Sequence, residues 1–159
     1  MARGGQRGNR GRGVIESTKS WEVITESSEE THLVGKKLGE ALSPNAIVTL
    51  HGDLGAGKTT FIRGLSEGVL QGRVPNFASP TFSLLNIYDG LKTIFHFDLY
   101  RLPRAEEFIA AGFDEYFCAG GICCIEWADK IASLIPPHSI DVSISYLAEQ
   151  KRKILIREF

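Results

Sequence analysis

Ile47-Val48-Thr49-Leu50-His51-Gly52-Asp53-Leu54-Gly55-Ala56-Gly57-Lys58-Thr59-Thr60 is the stretch whose reading decides the fold of this chain. Gly52 to Thr59 fit G-x-x-x-x-G-K-[ST], a phosphate-binding loop. The glycines let the backbone turn tightly and gather successive N–H groups around one anion. A helix opening at this point adds the positive end of its dipole. In such a loop Lys58 reaches the β- and γ-phosphates and Thr59 offers its hydroxyl to Mg²⁺. The flanks meet the structural test of the motif. Ile47 to Leu50 form a short, β-branched apolar run, which predicts a buried strand, and Pro44 and Asn45 mark a turn before it. Phe61 and Leu65, four apart, predict the helix that follows.

Around this unit, the 159 residues suit one domain large enough for a core without disulfides. A hydrophobic fraction of 43% and a charged fraction of 23% are those of an ordinary soluble globule. No apolar run approaches the ~20 residues of a membrane span, and no signal peptide is recognisable. Cys118 and the adjacent pair Cys123 and Cys124 lack the spacing of a disulfide framework or a zinc site. They read as reduced thiols of a cytoplasmic protein. The net charge of −1 is uneven. Residues 1–13 hold Arg3, Arg7, Arg10 and Arg12, five glycines and no acid, so this head is +4 and residues 14–159 carry −5. We therefore expect a disordered Arg/Gly-rich segment over 1–19 and a single folded domain over 20–159. The head reads either as a polyanion-binding tail or as a solvated extension.

Along the folded part, Trp21 to Thr25 predict a first strand. Ser27 followed by Glu30 forms a capping box, which predicts a helix carrying Leu33, Val34, Leu38, Ala41 and Leu42. After a loop over Gly72 to Pro80, Thr81 to Tyr88 and Leu91 to Phe97 predict a hairpin closed by a two-residue Asp89-Gly90 turn. Pro103 opens a short helix with Glu106 and Glu107 in its first turn, and Gly112 ends it. The wholly apolar Ile122-Cys123-Cys124-Ile125 predicts a central strand covered on both faces. A short helix over Ala128 to Leu134 stops at Pro136-Pro137. Ile140 to Tyr146 and Lys153 to Arg157 alternate apolar with polar and predict an antiparallel pair. Alternating strands and helices around a phosphate loop define an α/β fold of the P-loop NTPase kind, in three layers with a mixed central sheet.

Such a loop needs an acid near its Mg²⁺, at the end of a buried strand. Glu126 follows Ile122 to Ile125, and Asp98 ends the strand holding Phe95 and Phe97, so both qualify. Trp127 follows the acid directly and has three readings: a nucleotide contact, a partner contact or core packing. His51 and His96 have no matched partner in the sequence and read as structural. Cys123 and Cys124, on a strand without an adjacent base, read as inert thiols. The hydroxyls of Ser79 and Thr81, around Pro80, are placed to sense a γ-phosphate as a switch loop does, although a plain turn has the same composition.

Taken together, G-D-L-G-A-G-K-T-T at Gly52–Thr60, S-P-T-F at Ser79–Phe82, H-F-D-L-Y-R-L at His96–Leu102 and I-E-W-A at Ile125–Ala128 resemble the TsaE family. The likeness spans about residues 20–157. It implies a bacterial P-loop ATPase that binds ATP and Mg²⁺, hydrolyses ATP slowly alone, and is activated by TsaB and TsaD. That pair transfers a threonylcarbamoyl group to an adenosine beside the tRNA anticodon, and TsaC makes the donor. In the family, TsaE does not transfer the group but supports turnover of the complex, so contact with tRNA is indirect. By the same resemblance, Lys58, Asp98 and Glu126 are the catalytic candidates, and Thr59, Glu126 and Asp98 the metal-associated ones. Ser27, Asp53, Leu54, Gly55, Ala56, Gly57, Lys58, Thr59, Thr60 and Trp127 contact the nucleotide, and Ser79, Pro80 and Thr81 form the switch. A nucleotide-dependent binding switch and a small-molecule kinase are the competing readings. No N-K-x-D run points to guanine, and no Arg-rich lid points to a kinase.

Overall fold

The computed structural model describes residues 19–159, so the Arg/Gly-rich expectation lies outside the described residues. Seven strands form one sheet in the order β1-β7-β6-β2-β5-β4-β3. Its centre is parallel: β2 (Ile47–His51) lies between β5 (Ile122–Glu126) and β6 (Ile140–Ala148), and β4 (Ile94–Asp98) follows β5. The flanks are antiparallel, with β7 (Lys151–Glu158) and β1 (Lys19–Thr25) on one side and β3 (Leu85–Tyr88) on the other. The mixed sheet of the sequence reading is therefore present, and so is its C-terminal pair.

Side-chain alternation divides the core in two. Val48, Leu50, Ile122, Cys124, Val142 and Ile144 face helices α1 (Ser28–Ala41) and α2 (Lys58–Leu70). Ile47, Phe95, Phe97, Cys123 and Ile125 face α3 (Ala105–Ala110) and two 3₁₀ segments, Phe113–Cys118 and Ala128–Leu134. The three-layer expectation holds, because a sheet apolar on both faces has to be covered on both. No helix among the described residues is long and apolar enough to cross a membrane.

Helix α1 starts where the capping box places it. Ser27 Oγ accepts from Glu30 N at 3.1 Å, and Glu30 Oε2 accepts from Glu26 N at 2.6 Å, one residue earlier than the standard box. Val34, Leu38 and Leu42 of the expected apolar set join the core, but the packed stripe is wider than that set. Leu33 is 52% exposed, whereas Thr31, Gly35 and Gly39 are buried against α2. The reason is a backbone-to-backbone approach. A Cβ added to Gly39 would lie 2.1 Å from the Leu65 carbonyl oxygen, and one on Gly64 would lie 2.0 Å from that of His32. Gly35 and Gly68 complete the same interlock, so two G-x-x-x-G stripes face each other. The contact clamps the start of α1 beside the phosphate loop.

Two local expectations need correction, and one segment is additional. Tyr88 pairs with Ile94, so β3 and β4 are joined by residues 89–93 and not by a two-residue turn. The Thr93 carbonyl is drawn to β5 instead, accepting from Ile122 N at 2.8 Å, and Leu91 is fully in solvent. Residues 81–84 are a turn, not strand: Leu84 N donates to Pro80 O at 2.7 Å, and Leu84 has φ 67°. After Gly112, an additional 3₁₀ segment brings Phe113, Tyr116 and Phe117 into an aromatic cluster with Phe97 and Phe108.

Candidate nucleotide and metal site

β2 delivers a fully buried apolar run to the sheet's carboxyl edge, and the chain turns there into α2. Gly52, Gly55 and Gly57 have φ of 151°, 79° and 105°, values that L side chains rarely adopt. A side chain at Gly52 would also meet the Ile144 carbonyl oxygen at 2.5 Å. Gly57 caps α2 without a side-chain hydrogen bond, so the first-turn N–H groups stay aimed at the loop's interior. Asp53, Leu54 and Gly55 form the exposed tip, while Ala56 is buried. Lys58 is only 6% exposed: its Nζ donates to Gly52 O and lies 4.5 Å from the centroid of the Trp127 ring.

A cleft of about 260 Å³ opens beside the loop, between Ser27 and Thr31 of the α1 start, Gly57 and Thr60, and Arg152 of β7. Ser27 lines this cleft across from Gly55 and Gly57 of the loop. Arg152 was not singled out from the sequence. Its Nε donates to Ala56 O at 3.0 Å and its Nη1 to Ala148 O at 2.9 Å, which ties the β6–β7 turn to the loop. One of two arginines in a C-terminal strand carries no sequence signal of this; only the sheet order reveals it.

The two acids are neighbours. Asp98 and Glu126 are register partners on β4 and β5, and each is about 95% buried or more. Ser79 Oγ lies 2.9 Å from Asp98 Oδ2 and 3.3 Å from Glu126 Oε2. Thr81 Oγ1 donates to Asp98 Oδ2 at 3.3 Å, and Tyr100 N donates to its Oδ1 at 3.1 Å. Pro80 is buried between the two hydroxyl residues. The turn at 81–84 stands where a strand was expected, and Thr81 at its start stays within reach of Asp98.

His96, read from the sequence as structural, is fully buried, and its Nε2 is 2.9 Å from Glu126 Oε2. The period of two puts His96 on the face of Asp98, but the register that brings it to Glu126 comes from β5. Trp127 has φ 58°, packs against Tyr100 with ring centroids 5.0 Å apart and planes tilted by 54°, and touches Lys58. Its position agrees with a place at the phosphate loop and also with packing on the second core cluster. Thr59 is exposed on the first turn of α2, and no hydrogen bond joins it to Asp98 or Glu126 among the described residues.

His51 belongs to a separate network. It lies 3.6 Å from Asp141, which also meets Thr49 and, at 3.4 Å, Arg157. The hydrogen bond from His51, above all, holds the Asp141 carboxyl below its ordinary value, against the opposing effect of burial. Burial pushes the Cys123 thiol up to about 12 and Cys124 well above the usual range, so neither is a nucleophile at neutral pH.

Among the described residues, no group of three or more His, Cys, Asp or Glu is arranged to hold a metal by itself. Two convergent buried carboxylates fit Mg²⁺, which takes few protein ligands and completes its shell with phosphates and water. Among the described residues, both hydrogen bonds that the Glu126 side chain accepts go to Oε2, which leaves Oε1 for such a ligand.

A glycine loop between a buried parallel strand and a helix, with an acid on the adjacent strand, defines an α/β protein of the P-loop NTPase fold. The family model described as threonylcarbamoyl adenosine biosynthesis protein TsaE matches residues 25–154. A tRNA threonylcarbamoyladenosine biosynthesis protein TsaE of Treponema pallidum is 37% identical over 84% of this chain and 97% of its own. That of Bacillus subtilis is 38% identical over 84% and 82%, and that of Haemophilus influenzae 42% identical over 78% and 81%. A crystal structure of Bacillus subtilis YdiB aligns with a TM-score of 0.75 at 33% identity, covering 88% of this chain and 86% of that one. The chain belongs to the TsaE family.

Proposed function

We propose that this chain is the ATP-binding and ATP-hydrolysing component of tRNA threonylcarbamoyladenosine biosynthesis, supporting turnover of TsaB–TsaD in the cytoplasm. Kinship with TsaE proteins supports the pathway. The observation that carries the nucleotide chemistry is the convergence of Lys58 of the loop with Trp127, which directly follows Glu126, itself the register partner of Asp98. The loop amides and Lys58 bind the β- and γ-phosphates, and Ser27, Thr60 and Trp127 line the nucleotide's surroundings. Thr59, Glu126 and Asp98 would hold Mg²⁺, which when bound neutralises phosphate charge. Asp98 orients the attacking water, a role that suits a carboxylate already fixed by three donors. The contacts of Ser79 with both acids also favour a switch: any ligand that recruits Asp98 and Glu126 competes for these bonds and shifts the 79–81 loop. Transfer RNA is met through the complex, since residues 14–159 carry −5.

The test is ATP hydrolysis by the purified protein with and without TsaB–TsaD. Slow turnover that rises with the partners supports the proposal. An unchanged rate together with phosphorylation of a small acceptor makes the protein a kinase instead.

A further inference from the structure

We propose that His96 is a positioning residue for Glu126, coupling the seat of the 77–81 loop to the carboxylate that faces the metal. The inference rests on the nucleotide and Mg²⁺ reading given above. Three observations converge on this ring. His96 is fully buried, and its Nε2 lies 2.9 Å from Glu126 Oε2. A carboxylate only accepts, so Nε2 carries the proton. The other ring nitrogen, Nδ1, is buried and has no hydrogen-bond partner among the described residues. A ring kept for packing alone would be replaced by an apolar one at no loss of hydrogen bonding, so the single bond to Glu126 is what the imidazole provides. Finally, Phe77 stacks on His96 with centroids 5.6 Å apart and planes 9° from parallel.

The geometry gives the ring two grips. Along one edge it holds Glu126 Oε2, which fixes the carboxylate by that oxygen. Across its face it seats Phe77, two residues before Ser79, whose hydroxyl bridges Glu126 and Asp98. The Ser79 loop and the acid are therefore anchored on the same imidazole. Groups that orient a metal-associated ligand in this way commonly change metal affinity about 10- to 100-fold when removed.

The experiment compares binding of a non-hydrolysable ATP analogue with Mg²⁺ and with EDTA, read as the ratio of the two affinities, in the full chain. His96→Phe keeps a ring for Phe77 but has no donor. His96→Gln places an amide N–H near the position of Nε2, and His96→Asn places one too short to reach. The expected result is an unchanged affinity in EDTA for all variants. The Mg²⁺-dependent ratio should fall about 10- to 100-fold in Phe and Asn and be restored in Gln. A wild-type ratio in His96→Phe, or equal ratios in Gln and Asn, overturns the role of His96. If Phe does not fold, the Gln–Asn pair decides alone. A wild-type ratio near one would instead overturn the metal–nucleotide reading on which the inference rests.

Discussion

Gly64→Ala tests the backbone interlock between α1 and α2, because two effects of opposite sign act at one site. In an isolated helix the substitution favours folding by about 0.8–1.0 kcal/mol. Here the new Cβ would lie 2.0 Å from His32 O, where an ordinary C···O contact begins at about 3.3 Å. The obstacle is backbone in the facing helix, so no rotamer change relieves it, and α1 has to withdraw by about 1 Å. Overpacking of this kind costs about 1–3 kcal/mol. With the upper end appropriate to a rigid obstacle, the net loss is about 2 kcal/mol after the propensity gain is subtracted. For a domain of this size that lowers Tm by about 4–8 °C. Denaturant and thermal unfolding measure it. Gly72→Ala is the control, since nothing lies within 4 Å of its added Cβ. Withdrawal of α1 also moves Ser27 and Thr31 away from Gly57 and Thr60, so nucleotide affinity should fall together with stability. A Gly64→Ala protein as stable as wild type, or more so, would refute the argument, because propensity would then outweigh the contact.

Lys58→Ala should weaken ATP-analogue binding by at least about tenfold, the lower end for a lost charge-assisted bond, in an isothermal titration; wild-type affinity would make the loop decorative. Asp98→Asn and Glu126→Gln keep shape and remove charge, so hydrolysis should fall about a hundredfold or more while Tm changes by only a few degrees; normal specific activity with a large Tm loss would make the acids structural. A thiol reagent at pH 8 should modify Cys118 rapidly and Cys123 and Cys124 only on unfolding, given burial and the raised thiol values. The folded-state value of Asp141 lies below the ordinary 3.8, so its contribution to stability is present above that pH and is lost as pH falls through the lowered value. Asp141→Asn should therefore flatten the acid limb of a stability–pH curve, and an unchanged limb would show that the His51 and Arg157 contacts contribute nothing.

Local chemistry determined much by itself. The glycine spacing from Gly52 to Gly57, the β-branched run before it and the Ser27 cap are consequences of steric and hydrogen-bonding rules that act within a few residues. They placed β2, the phosphate loop and the starts of α1 and α2 correctly. The position of Asp98 and Glu126 at strand ends was legible for the same reason. Alternation also made the double-faced β5 readable, since a strand apolar at every position has no solvent face. The β3–β4 hairpin is present, but its two-residue turn is not, because Asp89-Gly90 describes only what the chain can do locally. The β4–β5 pairing drew Thr93 away, and the hydroxyls of residues 79–81 turned toward Asp98.

What only tertiary structure decided is register and approach. That Glu126 lies beside Asp98, that His96 reaches Glu126, and that Arg152 ties down Ala56 all depend on which strand is adjacent to which, and with what offset. The G-x-x-x-G stripes of α1 and α2 carry no fold signal in the sequence, and their value appears only when two backbones are brought together. Short-range rules set each segment's conformation. The site required contacts 30 to 47 residues apart along the chain, as between Glu126 and His96 or Ser79, and one-dimensional periodicity carries no information about those.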